Sequence, residues 1–497
     1  MLFNSVEFLI FFPIVCLLYY ILPHRFRYIL ILIAGLVFVA VKDPVSVIFL
    51  MVTTVITWVA GLLIGKMREN DVLVLSEGRL VGEELSGEGS AKNHSDEMTR
   101  KAKIWVATGL VAIFGILAYL KYVPYLWSLF KLGEIEVILP IGISFYTFQT
   151  ATYLLDVYRG DCKVCRNFLK YAAFATFFPT ILAGPIERAK NLIPQFEEEH
   201  KVDFSRMKDG LQFMLWGYFL KMVIVSRLTI LTDRVYGNDS FAGLAVLVAV
   251  IFYSFQIYCD FAGYSYIAVG CAKICGFDIM RNFRQPYMAG SVADFWRRWH
   301  ISLSTWFRDY LYIPLGGNRK GTFRKYLNVM IVFAVSGIWH GANVTFLIWG
   351  LLNGAYQVLG GIRKTLFPGK NKSSFMDKLS IAGTFILISI TWVFFSAPSF
   401  PDACERIGRM FRGPYLSSLT DGTMFDLGLG VNNLLFVILA LAILIISDVL
   451  CEKRDCDITG LLVNVKWPVR LAVYWLLVTM ILFSCNLSTQ EFLYMNF

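Results

Sequence analysis

An all-α, polytopic membrane protein is the fold class this sequence predicts, and three observations carry it. Hydrophobic residues make up 57% of the 497-residue chain and charged residues 16%, where an ordinary soluble domain carries about 25% charge. Apolar runs of near-span length recur from one end to the other. Those runs are continuous and do not alternate. In hydrocarbon every backbone polar group needs an internal partner, so continuous runs mean helices and not a barrel. About ten to twelve crossings are expected, with short or re-entrant helices among them, in one domain over residues 1–497.

Val6–Leu22 is the first expected span. No small-residue cleavage site follows it, so it is read as retained. Pro23, His24, Arg25 and Arg27 come next, and a basic turn belongs in the cytoplasm. The N-terminus is therefore expected on the extracytoplasmic side. Phe26–Val41 returns and Pro44–Gly65 comes back. Residues 66–103 mix both charge signs with Gly, Ser and Asn and show no apolar period, which predicts a flexible cytoplasmic loop. Ile104–Tyr122 and Ile138–Tyr158 are spans; the second carries Ser144, Thr147, Gln149 and Thr150, polar groups that belong on an interior face. Tyr171–Ala183 is too short to cross ~30 Å of hydrocarbon.

Leu211–Leu231 and Phe241–Phe261 are spans, and Gly263–Gly276 is again short. Asp260 lies near the end of the second. A carboxylate at that depth costs several kcal/mol unless it is paired, so it is expected to anchor a neighbouring Arg or hydroxyl. Tyr326–His340 and Ala342–Leu359 form an apolar hairpin. Arg319, Lys320, Arg324 and Lys325 flank one end and Arg363 and Lys364 the other, which places both ends in the cytoplasm. Ile381–Ser396, Leu434–Leu450 and Leu471–Phe483 complete the bundle, with Pro401–Arg412 as an interfacial helix.

The net charge of +10 is read as cytoplasmic loops and headgroup contacts, not as a nucleic-acid surface. Of ten cysteines, Cys162 and Cys165 form a CxxC with no second pair, so no metal site and no bound cofactor are expected. A GxSxG elbow and a P-loop are both missing, which removes support for a serine hydrolase or a nucleotide-driven pump.

Residues 278–341 hold two of the five histidines, His300 and His340, each following a tryptophan. Val292–Leu311 reads as one helix with Val292, Trp296, Trp299, Leu303, Trp306 and Tyr310 in a single apolar stripe. His300 borders that stripe, and Asp294 can pair with Arg298 four residues on. His340 sits in Ser336-Gly337-Ile338-Trp339-His340-Gly341. A membrane histidine is a functional candidate, and a neutral imidazole takes a proton from a hydroxyl near physiological pH. The plain alternative is that each ring only hydrogen-bonds a neighbour.

These segments resemble the membrane-bound O-acyltransferase family, in the branch that contains bacterial alginate O-acetylation proteins. The resemblance runs through MLFNSVEFLIFFPIV, LPIGISFYTFQTATYLLDVYRG, AGPIERAKNLIPQF, YCDFAGYSYIAVG, RNFRQPYMAGSVADFWRRWHISLSTWFRDYLYIPLGGNRKG and SGIWHGANVTFLIWG, in that order. It implies His340 as the principal catalytic histidine and His300 as the second, at a thin funnelled centre of a bacterial plasma-membrane enzyme. It implies a cytoplasmic acyl thioester, acetyl-CoA in this branch, as donor. The acceptor would be an exported glycan such as an alginate-like polysaccharide or peptidoglycan, reached through an extracytoplasmic esterase-like acetyltransferase partner. Trp296, Trp299, Trp339 and Asp260 are expected to line or support the site. Arg297 and Arg298 suit donor phosphates, although snorkelling to headgroups explains them as well. At Ser396 the family pattern leads one to expect Arg. D-alanyl transfer to teichoic acid from a carrier protein is the rival within the family. A polysaccharide or lipid transporter is the rival outside it, and an assembly subunit a third reading.

Overall fold

The computed structural model describes residues 1–80, 88–132, 137, 139–367, 374–415 and 417–485, with side chains left out at 69–96 and 419. The described elements are helices, and no strand occurs among them. Six are long and apolar enough to cross a membrane: Pro44–Arg68, Glu97–Leu129, Phe204–Tyr236, Leu244–Ile274, Ser374–Ser396 and Gly430–Arg454. Val6–Ile21 and Trp467–Phe483 are shorter apolar helices. The helices pack as two compact units.

The first unit comprises Met1–Leu2, Val6–Phe204 and Ala272–Ile279. It contains α1 (Val6–Ile21), α2 (His24–Ala40), α3 (Pro44–Leu80), α4 (Glu88–Leu129), α5 (Ile143–Arg159), α6 (Phe168–Ala175), α7 (Phe178–Ile181) and α8 (Ala189–Gln195). Helices α3 and α4 pack on each other and on α5, whose residues are almost all buried. The polar residues of α5 have structural work. Short α6 ends inside the unit and leaves carbonyls open; Gln149 Nε2 donates to Phe174 O at 2.7 Å, and Gln149 Oε1 accepts from Thr180 Oγ1 at 3.1 Å. A broken helix survives in a membrane only when its freed backbone is satisfied in this way. Residues 66–80 and 88–103, expected as loop, are helical here as the ends of α3 and α4. Residues 81–87 lie outside the described ones. Charged residues that lack an apolar period still extend a helix in either direction once an adjoining span has nucleated it.

The second unit comprises Phe3–Ser5, Ser205–Cys271 and Met280–Phe497. Its helices are α9 (Phe204–Tyr218), α10 (Ser226–Tyr236), α11 (Leu244–Ile274), α12 (Val292–Arg298), α13 (Ile301–Phe307), α14 (Gly321–His340), α15 (Val344–Leu366), α16 (Ser374–Ser396), α17 (Phe400–Phe411), α18 (Gly430–Arg454) and α19 (Trp467–Phe483). Between α9 and α10 the chain stays helical with π geometry over Phe219–Val225. The two segments expected at 241–261 and 263–276 are a single 31-residue helix, α11. Gly263 does not break it; its missing side chain is needed, because a Cβ there meets Gly217 O at 2.9 Å. Helices α14 and α15 form the expected hairpin. They approach closely because a Cβ on Gly337 meets Phe346 O at 2.4 Å and one on Gly350 meets Phe333 O at 2.3 Å, the small-residue contact of membrane helices.

Candidate active site

His300 stands at a break, not on a helix face. The single helix expected over 292–311 is two short ones with a π turn after them at Arg308–Tyr312. Ser291 caps α12, its Oγ accepting from Asp294 N at 3.2 Å. At Trp299 the backbone turns extended, and His300 adopts φ 44°, ψ 53°. That left-handed conformation costs a non-glycine residue about 1–2 kcal/mol. The apolar period runs through the break, and no Gly or Pro marks it, so periodicity reads one helix where there are two.

A neighbouring loop segment holds the break in place. Arg284 N donates to Arg298 O at 3.0 Å and Ile301 N to Asn282 O at 2.9 Å. The Asn282 side chain does the rest. Its Oδ1 accepts from Ser302 Oγ at 2.6 Å and Ser302 N at 3.3 Å, while its Nδ2 donates to Ser265 Oγ at 3.2 Å. The same Oδ1 lies 3.4 Å from His300 Nδ1. An oxygen already accepting from Ser302 assigns the proton of the imidazole to Nδ1 and leaves Nε2 as the basic nitrogen. The Phe261 ring meets the His300 imidazole edge-on, with centroids 4.6 Å apart at 89°. Burial lowers the His300 pKa to about 3, so the ring is neutral at physiological pH.

His340 is the last residue of α14. It is enclosed by Trp339 (ring centroids 4.7 Å), Trp349 of α15 (4.9 Å) and Phe395 of α16 (5.3 Å). The Trp339 indole also lies 6.4 Å from His300, so one indole separates the two imidazoles. The tryptophans continue from ring to ring: Trp349 to Trp392 at 5.8 Å, Trp392 to Trp299 at 5.0 Å and Trp349 to Trp296 at 5.6 Å. Trp296 Nε1 donates to Asn353 Oδ1 at 3.1 Å. The buried N–H groups of Trp349 and Trp392 have no acceptor among the described residues.

The charged candidates are placed differently. Asp260 is buried in α11 and ion-paired with Lys221 of the π segment, where an Arg or hydroxyl was expected. Arg298 is held by Asp294 at 3.0 Å and by both carboxylate oxygens of Glu452 at 2.6 and 2.9 Å. The Glu452 and Asp294 contacts outweigh partial burial and raise its pKa. Its guanidinium is thus engaged by protein carboxylates. Arg297 is exposed. Ser396 Oγ accepts from Arg406 Nη1 at 3.0 Å, and that guanidinium also lies over the Tyr236 ring at 4.1 Å. A guanidinium thus reaches position 396 from α17. Sequence reasoning missed Asn282, Trp349, Trp392 and Phe395. Asn282 and Trp349 lay inside the quoted segments, but a residue that holds another by one side-chain contact leaves no periodic signal.

The sequence profile of the membrane-bound O-acyltransferase family matches residues 163–397. The probable alginate O-acetylase of Pseudomonas putida is 35% identical over 463 residues, covering 90% of this chain and 88% of that protein. This chain belongs to the membrane-bound O-acyltransferase family. The peptidoglycan O-acetyltransferase of Helicobacter pylori is 33% identical over 356 residues, 64% of this chain and 67% of the relative. A teichoic acid D-alanyltransferase of Bacillus subtilis is 29% identical over 231 residues, 42% of this chain and 56% of the relative. The residues matched by the family profile include His300, His340 and the tryptophans around them. A membrane-bound O-acyltransferase forms an ester on a hydroxyl oxygen, so its site needs a group that takes the hydroxyl proton.

Proposed function

We propose that the chain transfers acetyl from a cytoplasmic thioester, acetyl-CoA, to a hydroxyl on the outer side of a bacterial plasma membrane, for O-acetylation of an exported polysaccharide. The single observation that carries the site is the pair of buried imidazoles flanking Trp339. His340 removes the proton from the acceptor hydroxyl. The oxygen attacks the thioester carbon, the C–O bond forms, the C–S bond breaks, and the proton passes to the departing thiolate. No net proton is gained or lost. His300, with its proton on Nδ1, orients the reacting groups through Nε2. The indole N–H groups of Trp349 and Trp392 suit the oxyanion that develops on the carbonyl, where buried donors act most strongly.

Support for acetyl and for a glycan comes from the alginate and peptidoglycan relatives. Cationic residues at the open end of the α14–α15 hairpin support a cytoplasmic side for that end, and His340 lies roughly 28 Å along α14 from it. The basic residues Arg25 and Arg27 after the first span support an extracytoplasmic N-terminus. An acceptor hydroxyl on a separate esterase-like protein, which passes acetyl on to sugars, satisfies the same geometry.

The test is release of CoA from acetyl-CoA by the purified protein in lipid nanodiscs, wild type beside His340→Ala. Loss of His340 is expected to slow release by about 10²–10⁴-fold. Equal release by both proteins would remove His340 from the reaction. Activity only with a thioester-loaded carrier protein would move the donor to the D-alanyl type.

A further inference from the structure

Beside the His300 break lies a cavity of about 460 Å³, within the range of sites that hold small molecules. Ile301 and Asn282, the residue that contacts His300, are part of its lining, and Phe213, Tyr266 and Phe283 give it apolar sides. Arg281 and Arg284 stand at its rim with side chains 57% and 58% exposed. Each already holds a carboxylate. Arg281 Nη2 lies 2.7 Å from Asp457 and Arg284 Nη2 2.6 Å from Asp455. Both acids follow the last turn of α18, and Asp455 is itself left-handed at φ 47°.

We propose that this cavity binds the phosphate of a phosphopantetheine-bearing acyl thioester through Arg281 and Arg284, and that Asp455 and Asp457 occupy the two arginines until it arrives. The inference rests on the thioester reading above. Guanidinium forks suit phosphate because two N–H groups meet two oxygens. The Arg284–Asp455 pair is exposed on both sides and therefore weak, so a more highly charged phosphate displaces Asp455 first, and Asp457 with it once both arginines engage. Apolar walls then take the pantetheine chain toward Asn282. Arg281 and Arg284 flank Asn282 in one loop segment, and Asn282 contacts His300. Filling the arginines therefore steadies the same segment that fixes the imidazole. The Asp457 side of the contact is built, not incidental. Burial would push its carboxyl up, but the Thr459 hydroxyl, the Gly460 amide and Arg281 outweigh that and hold it below the usual carboxylate range.

The experiment uses the full chain in nanodiscs and reads binding separately from turnover. Coenzyme A and a holo-acyl carrier protein are the two probes, which separate a free donor from a carrier-borne one. With at least one probe, Arg281→Gln/Arg284→Gln is expected to weaken binding by about tenfold or more, and Asp455→Asn/Asp457→Asn to tighten it. In turnover, the Gln pair raises KM for acetyl-CoA or the acetylated carrier, whichever binds. It leaves acetyl-pantetheine, which carries no phosphate, unaffected. Binding of both probes insensitive to the Gln pair would overturn the proposal, as would an equal loss on acetyl-pantetheine. If wild type binds a probe through the arginines yet cleaves no thioester, the phosphate site stands and the acyl-transfer reading fails.

Discussion

Asn282 Oδ1 lies 3.4 Å from His300 Nδ1, and the same oxygen accepts the hydroxyl of Ser302. One side chain therefore sets the tautomer of a buried imidazole. Removing it frees the ring to turn and to exchange its protonated nitrogen. Asn282→Ala is expected to lower kcat about tenfold, equivalent to ~1.4 kcal/mol, with a smaller change in KM. Steady-state kinetics of acyl transfer check this, and an unchanged kcat would show that the contact has no part in the reaction.

The buried His300 also makes stability depend on pH. Its folded pKa is lowered to about 3, below the ~6.5 of an unfolded histidine. Between those values the unfolded chain binds a proton that the folded chain refuses. Stability therefore falls as pH drops through this window and is regained above about 6.5. Thermal midpoints at pH 7.5 and pH 5 should show a drop in the wild type that is smaller in His300→Gln. An equal drop in both would assign the effect to other groups.

Trp349 and Trp392 offer a sharper test of oxyanion stabilisation, because phenylalanine keeps most of the ring and removes the N–H. Trp349→Phe and Trp392→Phe are each expected to lower kcat by up to about 10²-fold while the thermal midpoint changes little. Loss of activity in step with loss of the midpoint would mean that the rings matter only as packing.

The ion pair of Lys221 and Asp260 is almost fully buried. Removing one partner leaves a lone charge in a low-dielectric bundle, at a cost of about 3–5 kcal/mol. Asp260→Asn and Lys221→Met are both expected to lower the thermal midpoint in detergent. Lys221→Leu/Asp260→Leu should recover most of the loss, since two apolar side chains replace a buried pair at little cost. A double variant worse than either single one would show that the charges serve something besides each other.

Much of this molecule was legible in its sequence. Continuous apolar runs have one stable solution in a bilayer, so the all-helical membrane class followed directly, as did the α14–α15 hairpin and the family. His300 and His340 stood out because each is a rare polar group in apolar sequence. What escaped was everything set by contact across the chain. Asp260 demanded a partner, but nothing local said it would be Lys221. The helix over 292–311 has an unbroken apolar period, and its break depends on hydrogen bonds with residues 282 and 284, which lie outside the helix and its periodicity. Arg297 and Arg298 looked equivalent on paper; only packing shows that one is taken up by Glu452 and Asp294 while the other is exposed.

The π segment Phe219–Val225 has a consequence for the phase of the whole helix. α11 holds the helix within this segment and beyond it: Lys221 pairs with Asp260, and further on Thr232 Oγ1 donates to Gln256 Oε1 at 2.7 Å while Gln256 Nε2 donates to Thr229 Oγ1 at 2.8 Å. Each residue turns an α-helix by about 100°. Deleting a single residue between Met222 and Val225 would restore α geometry and keep Lys221 in place, yet rotate Thr229 and Thr232 away from Gln256. The wide turn acts as a phase shifter, letting two clamps spaced for different periods close on one helix.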